Sequence, residues 1–171
     1  RFADSSYLKR FDELASQIQK GAAEAEDNLN YLQTLADPCK QLGQVRPQEI
    51  SQILPDLLQK VKEICDNSQY YNTNERITGL FRKISNEVIN RCISIIEIDD
   101  LLGRDVNKCI ADLKESKECG MTWKAIFEEH FENEEEGVKR NYNKGSIFSQ
   151  VDAFVQRCVD LKQICKGQLQ F

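Results

Sequence analysis

Apolar residues recur along this chain at steps of three and four, and no segment alternates apolar and polar for long enough to read as a strand. Over residues 4–36, Leu8, Phe11, Ala15, Ile18, Ala22, Ala25, Leu29, Leu32 and Ala36 keep a period of about 3.5 residues. That is the seam of a helix packed lengthwise against another, and its alanines permit close approach. The run is expected to stop at Asp37-Pro38, because proline disfavours the helical region for the residue before it.

A second helix is predicted over 47–66, with Pro47 in its first turn and Ile50, Ile53, Leu54, Leu57, Leu58, Val61, Ile64 and Cys65 on one face. Pro55 interrupts that face and predicts a kink or a break. A third helix is predicted over 73–97, on the stripe Ile77, Leu80, Phe81, Ile84, Val88, Ile89, Cys92 and Ile95, ended by Asp99, Asp100 and Gly103. Helical spacing returns over 105–119 and 122–133, with Gly120 separating the two stretches. Residues 134–147 are polar and glycine-containing and read as a loop. A last helix is expected over 148–167. The fold class predicted is all-α: an elongated helical bundle of five or six mostly antiparallel helices. Residues 1–171 read as a single segment, with weak sub-units 1–103 and 104–171.

Composition changes this picture little. The chain is 40% hydrophobic and 30% charged, as folded domains are, and its formal net charge is -5. A nucleic-acid surface needs a basic stripe, which this balance argues against. No apolar run approaches the ~20 residues of a membrane span. Seven cysteines at 39, 65, 92, 109, 119, 158 and 165 include no C-x-x-C, and the one histidine, His130, has no cysteine at ligand spacing. They read as buried free thiols of a reducing compartment. The chain opens on Arg1 and closes on Phe171, which suggests a piece of a longer polypeptide.

Candidate chemistry is sparse. There is no phosphate-cradling glycine loop, no metal constellation and no nucleophile–base pair, so no catalytic residue, cofactor or metal is assigned. The acidic run Glu128, Glu129, Glu132, Glu134, Glu135 and Glu136 lacks the spacing of a calcium loop and reads as a solvated helix end. Lys139 and Arg140 just beyond it either complement those acids or face a partner. Trp123, Phe127 and Phe131 form an i, i+4, i+8 aromatic stripe. Core packing is the plainer reading, and a partner anchor the sharper one. The partner-binding candidates are therefore Trp123, Phe127, Phe131, Lys139 and Arg140. In SQYYNTNERI (68–77), Asn72 or Thr73 with Glu75 suits a helix N-cap, and Tyr70 and Tyr71 are expected to pack that start on the preceding helix.

The stretches AEDNLNYLQTLADPC (25–39), ILPDLLQKVKEIC (53–65), NSQYYNTNERITGLFRKISNEVINRC (67–92) and IFSQVDAFVQRCVDLKQICKGQLQF (147–171) occur here in an order that resembles the N-terminal tail of dynein heavy chains. The resemblance covers about 22–171 and is closer to axonemal, outer-arm type chains, particularly in DAFVQRCVDL and GQLQF. It implies a non-catalytic tail segment of a very large microtubule motor, whose AAA+ ATPase ring lies outside these residues. It also implies intermediate, light and light intermediate chains, other heavy chains and axonemal docking factors as partners. The location implied is the cytoskeleton of a cilium or flagellum. Direct contact with the acidic microtubule surface is not expected of so acidic a segment, nor is contact with nucleic acid or a membrane. The rival reading is an independent helical adaptor that takes a partner's amphipathic helix in a groove.

Overall fold

The structure, a computed structural model, describes residues 6–97, 103–132 and 140–168. Among them are six α-helices, one π turn and no strand: α1 (Ser6–Gln33), α2 (Ala36–Leu42), α3 (Pro47–Asn67), α4 (Asn74–Ile96), α5 (Val106–Phe127), the π turn Glu128–Glu132, and α6 (Lys144–Gln168). The all-α bundle read from periodicity is the fold. The chain divides into two compact units, Arg1–Thr34 and Leu35–Phe171. Residues 103 and 104 fall inside the second unit, where α5 packs on α3, α4 and α6.

The first unit is α1, a single helix of 28 residues. It closes where the Thr34 hydroxyl donates to the Tyr31 carbonyl at 2.7 Å. The expected stop at Asp37-Pro38 lies instead in the first turn of α2. A first-turn amide has no intrahelical acceptor, so proline loses nothing there. Pro38 and Leu42 are buried, which fastens this short helix to the second unit.

α3 starts on Pro47, with the Arg46 amide donating to Glu49 Oε2 at 3.0 Å. It runs through Pro55 as one helix, so the break anticipated there does not occur. Leu54, Leu57 and Leu58 around Pro55 are fully buried, and that burial offsets the missing amide bond. The cap of α4 is Thr73 rather than Asn72: its hydroxyl accepts from the Arg76 amide at 3.4 Å. Tyr70 and Tyr71 meet edge to face, with ring centroids 5.1 Å apart, and the Arg76 guanidinium lies 3.5 Å from the centre of the Tyr70 ring. The Tyr71 amide donates back to Ser68 Oγ at 3.3 Å, tying the pair to the end of α3.

α4 ends on Glu97, whose φ of 48° is left-handed and unusual for a residue with a side chain. Arg104 holds this end. Its guanidinium donates to the Ile96 carbonyl and to Asp112 Oδ2, both at 3.0 Å, and it pairs with Glu97 at 3.4 Å. One side chain thus satisfies the open carbonyls of α4 and joins them to α5.

Gly120 does not separate two helices. α5 passes through it unbroken, and a β-carbon built there would lie 2.9 Å from Val155 Cγ2 and 3.5 Å from Val151 Cγ1. The glycine is a point of close approach between α5 and α6. α6 begins at Lys144, inside the stretch read from sequence as a loop. Its entry is sewn to the start of α4: Asn143 donates its amide to Thr78 Oγ1 at 2.9 Å and accepts from the Ser146 amide at 2.9 Å.

All seven cysteines are free thiols, and all but Cys39 are buried. Cys92, Cys119 and Cys158 cluster where α4, α5 and α6 meet, and the Cys92 thiol also faces the Ser116 carbonyl at 3.9 Å. Burial pushes the Cys158 thiol up to about 11, and Cys92, hydrogen-bonded to Cys119 and desolvated, is raised as well. A thiol whose folded value is raised stabilises the fold fully below its unfolded value and loses that contribution as pH rises through the folded value. The unfolding free energy should therefore hold from pH 7 to 8.5 and fall between about pH 9 and 11, by on the order of 2 kcal/mol from Cys158 alone. Cys158→Val should shrink the fall, which urea titrations at both ends of the window would measure.

Candidate assembly surfaces around an aromatic core

Trp123, Phe127 and Phe131, proposed from sequence as partner anchors, are buried in the second unit. They surround Phe81 of α4: the rings of Phe127 and Phe131 lie 4.9 and 4.6 Å from it edge to face, and Trp123 lies 6.5 Å away. Phe148 and Tyr142 complete the cluster from the α6 side. The indole N–H of Trp123 donates to the Ser85 hydroxyl at 2.9 Å, so even its polar edge is satisfied internally. A side chain without exposed surface cannot anchor a partner on the folded unit, and these three residues are core.

The π turn explains how the third ring reaches the cluster. Continuing α5 with wider i→i+5 spacing over Glu128–Glu132 keeps Phe131 on the inner side beneath Phe127, with centroids 5.2 Å apart. Lys144 holds the turn from outside, donating to Glu128 at 2.8 Å and to Glu132 at 2.7 Å, while Tyr142 donates to Glu132 at 3.0 Å. The ammonium draws the Glu128 carboxyl below its usual range, and the two carboxylates raise Lys144 in return. These glutamates are helix staples.

Arg140, another candidate, is turned inward. It pairs with Asp66 at the end of α3 and lies 5.3 Å from the centre of the Phe131 ring. Its job is to close the bundle end. Lys139, like Glu134, Glu135 and Glu136, lies outside the described residues. His130 is half exposed beside Glu129 at 4.0 Å, and its carbonyl accepts from Lys62 at 3.3 Å. Among the described residues, no group of three or more His, Cys, Asp or Glu is placed to hold a metal ion. No described helix is long and apolar enough to cross a membrane.

The surfaces that remain were not nominated by sequence. A shallow groove of about 370 Å³ runs between the start of α3 and the middle of α5, lined by Pro47, Gln48, Ser51, Lys114 and Glu118. A smaller one, about 220 Å³, lies between α4 and α6 beside Asn90, Ile93 and Arg157. Ile93 is exposed there, as is Met121 on α5. These features are open and mixed in polarity. Groove residues come from helices whose inward faces set the sequence signal, so their outward neighbours left no periodic trace.

The described helices form an all-α bundle around an internal aromatic core. Residues 1–171 match, over their whole length, the family described as "Dynein heavy chain, N-terminal region 1". The chain belongs to the dynein heavy-chain family, in its N-terminal region. It is 40% identical over 172 residues to the Chlamydomonas reinhardtii "Dynein-1-beta heavy chain, flagellar inner arm I1 complex", covering 99% of this chain and 4% of that one. It is 46% identical over 82 residues to the Mus musculus "Dynein axonemal heavy chain 2", covering 48% and 2%. It is 39% identical over 90 residues to the Rattus norvegicus "Dynein axonemal heavy chain 5", covering 53% and 3%. The chain thus spans only a few per cent of the length of these relatives. The names of these relatives are axonemal or flagellar, as the resemblance implied, while the outer-arm expectation meets an inner-arm relative in a match that covers 99% of the chain.

Proposed function

We propose that this segment is a non-catalytic structural and assembly element of an axonemal dynein heavy-chain tail. It supports heavy-chain association and the binding of intermediate, light intermediate and light chains or docking factors, in a microtubule motor that drives ciliary movement. The carrying observation is the family match over residues 1–171, joined to a second unit whose aromatic cluster, Phe81, Trp123, Phe127 and Phe131, is internal. In this reading the segment takes no cofactor, ATP is hydrolysed elsewhere in the heavy chain, and the segment acts in the axoneme. Helices that share one continuous core resist bending and transmit load along their length, which suits a tail between cargo and motor. Crosslinking mass spectrometry of the native arm tests this. Lys83, Lys108, Lys114 and Lys166, all exposed, should crosslink to other subunits of the arm. Crosslinks confined to the heavy chain itself would overturn the assembly role.

A further inference from the structure

Arg91 on α4 holds the turn between α2 and α3. Its guanidinium donates from Nε to the Val45 carbonyl and from Nη2 to the Gln44 carbonyl, the latter at 3.2 Å. The same group donates from Nη1 to the Ser94 hydroxyl at 3.2 Å. Ser94 in turn donates to the Arg91 carbonyl at 2.7 Å, one turn back along α4. All of these residues belong to the second unit. One arginine thus links the hydroxyl of an exposed serine to the two carbonyls by which the turn is fastened to α4.

Ser94 also stands in a sequence suited to a serine kinase directed by acidic residues. Ser94-Ile95-Ile96-Glu97 sets a carboxylate three residues beyond the hydroxyl, and Asp99 and Asp100 follow in the sequence. Such a kinase reads those acids with basic side chains of its own. An acceptor must open into an extended strand to enter a kinase, and Ser94 lies in the last turn of α4, whose final residue is Ile96. That turn ends on left-handed Glu97 and is a part of the helix that opens at low cost. Ser85 and Ser116 are buried in the core and lack such access.

We propose that Ser94 is a phosphorylation site and that its phosphate draws Arg91 off the α2–α3 turn. In the transfer the Ser94 oxygen bonds to the γ-phosphorus of ATP, the bond from that phosphorus to the β-phosphate oxygen breaks, and ADP leaves with the electron pair. The hydroxyl proton passes to the kinase's base. The product carries about −1.5 to −2 charge and three strong acceptor oxygens. A dianion in the last turn of a helix meets the negative end of the helix dipole, and Glu97 adds to the repulsion. It therefore draws in a cation. Arg104 is engaged with the Ile96 carbonyl, Asp112 and Glu97, while Arg91 already touches the hydroxyl. A bidentate arginine–phosphate pair is stronger than bonds to neutral carbonyls, so Arg91 turns to the phosphate. The Gln44 and Val45 carbonyls lose their donor, and the turn that closes α2 loosens. Pro38 and Leu42 stay buried, so the change is local.

Treating the intact heavy chain with an acid-directed serine kinase and ATP tests the inference, read by phosphopeptide mapping and hydrogen exchange. Ser94 should take up phosphate, and amides of 39–45 should then exchange about 10-fold faster, with those of 77–89 in α4 unchanged. Heavy chain carrying Ser94→Ala should stay slow over 39–45 after the same treatment. Heavy chain carrying Arg91→Gln should be fast there before treatment and no faster after it. Absence of phosphate on Ser94 would overturn the site. Phosphate on Ser94 with unchanged exchange over 39–45 would overturn the switch, as would equal loosening in treated heavy chain carrying Ser94→Ala.

Discussion

Replacing Phe81 with alanine should lower the unfolding free energy by about 3–5 kcal/mol, the range for a fully buried aromatic side chain. Phe81 has no exposed surface and touches three other rings, two of them edge to face. Removing it takes away the transfer free energy of the ring and leaves a cavity that Trp123, fixed by its hydrogen bond to Ser85, is poorly placed to fill. Domains of this size are held by roughly 5–15 kcal/mol, so the variant should lose a large part of its margin. Denaturant titration followed by Trp123 fluorescence reads the change directly. A loss under 1 kcal/mol would mean that the aromatic cluster is not the centre of the core.

The second large effect concerns two glycines in helices. Gly120→Leu should cost about 3 kcal/mol, because α5 and α6 are too close there for any side chain. Even alanine should destabilise. Its β-carbon would stand 2.9 Å from a methyl of Val155, which is stiff at χ1 and cannot swing aside at low cost. At Gly79 in α4 nothing lies within 4 Å of the same built atom. There Gly79→Ala should stabilise by about 0.5–1 kcal/mol through helix propensity alone. The same chemical change thus takes opposite signs at two positions, and shortening Val155 to alanine should rescue Gly120→Ala. Thermal melts of the four variants would decide it. Stabilisation by Gly120→Ala would show that the helices can part without penalty.

The contrast between these glycines also marks how far the sequence could be read. Periodicity located α3, α4 and α6 to within a few residues, because each buries one continuous apolar face. It misplaced Gly120 because a glycine marks a break or a close approach equally well, and only the helix across from it decides. Pro38 and Pro55 were read as interruptions for a similar reason: a first-turn position and a well-buried flank tolerate what an isolated helix would not. The π turn left no trace, since widening by one residue carries no composition of its own. Arg104 was missed because its role depends on Asp112 and on carbonyls of another helix.

The candidate surface shows the same limit more sharply. Trp123, Phe127 and Phe131 and the seam of α1 are both apolar stripes at helical spacing, yet the first is buried and the second exposed. A stripe states that a helix must be covered and is silent on whether the cover lies within the same 171 residues. Family membership, by contrast, was legible, because four blocks stand here in the order of the tail pattern, and the family match runs over residues 1–171.

The central claim, that this bundle assembles the arm and takes no part in its chemistry, is tested most directly by unfolding it within the intact motor. Heavy chain carrying Phe81→Ala together with Gly120→Leu should retain its microtubule-stimulated ATPase rate within about twofold while losing co-purification with the other arm subunits. Loss of the ATPase with subunit association intact would contradict the account.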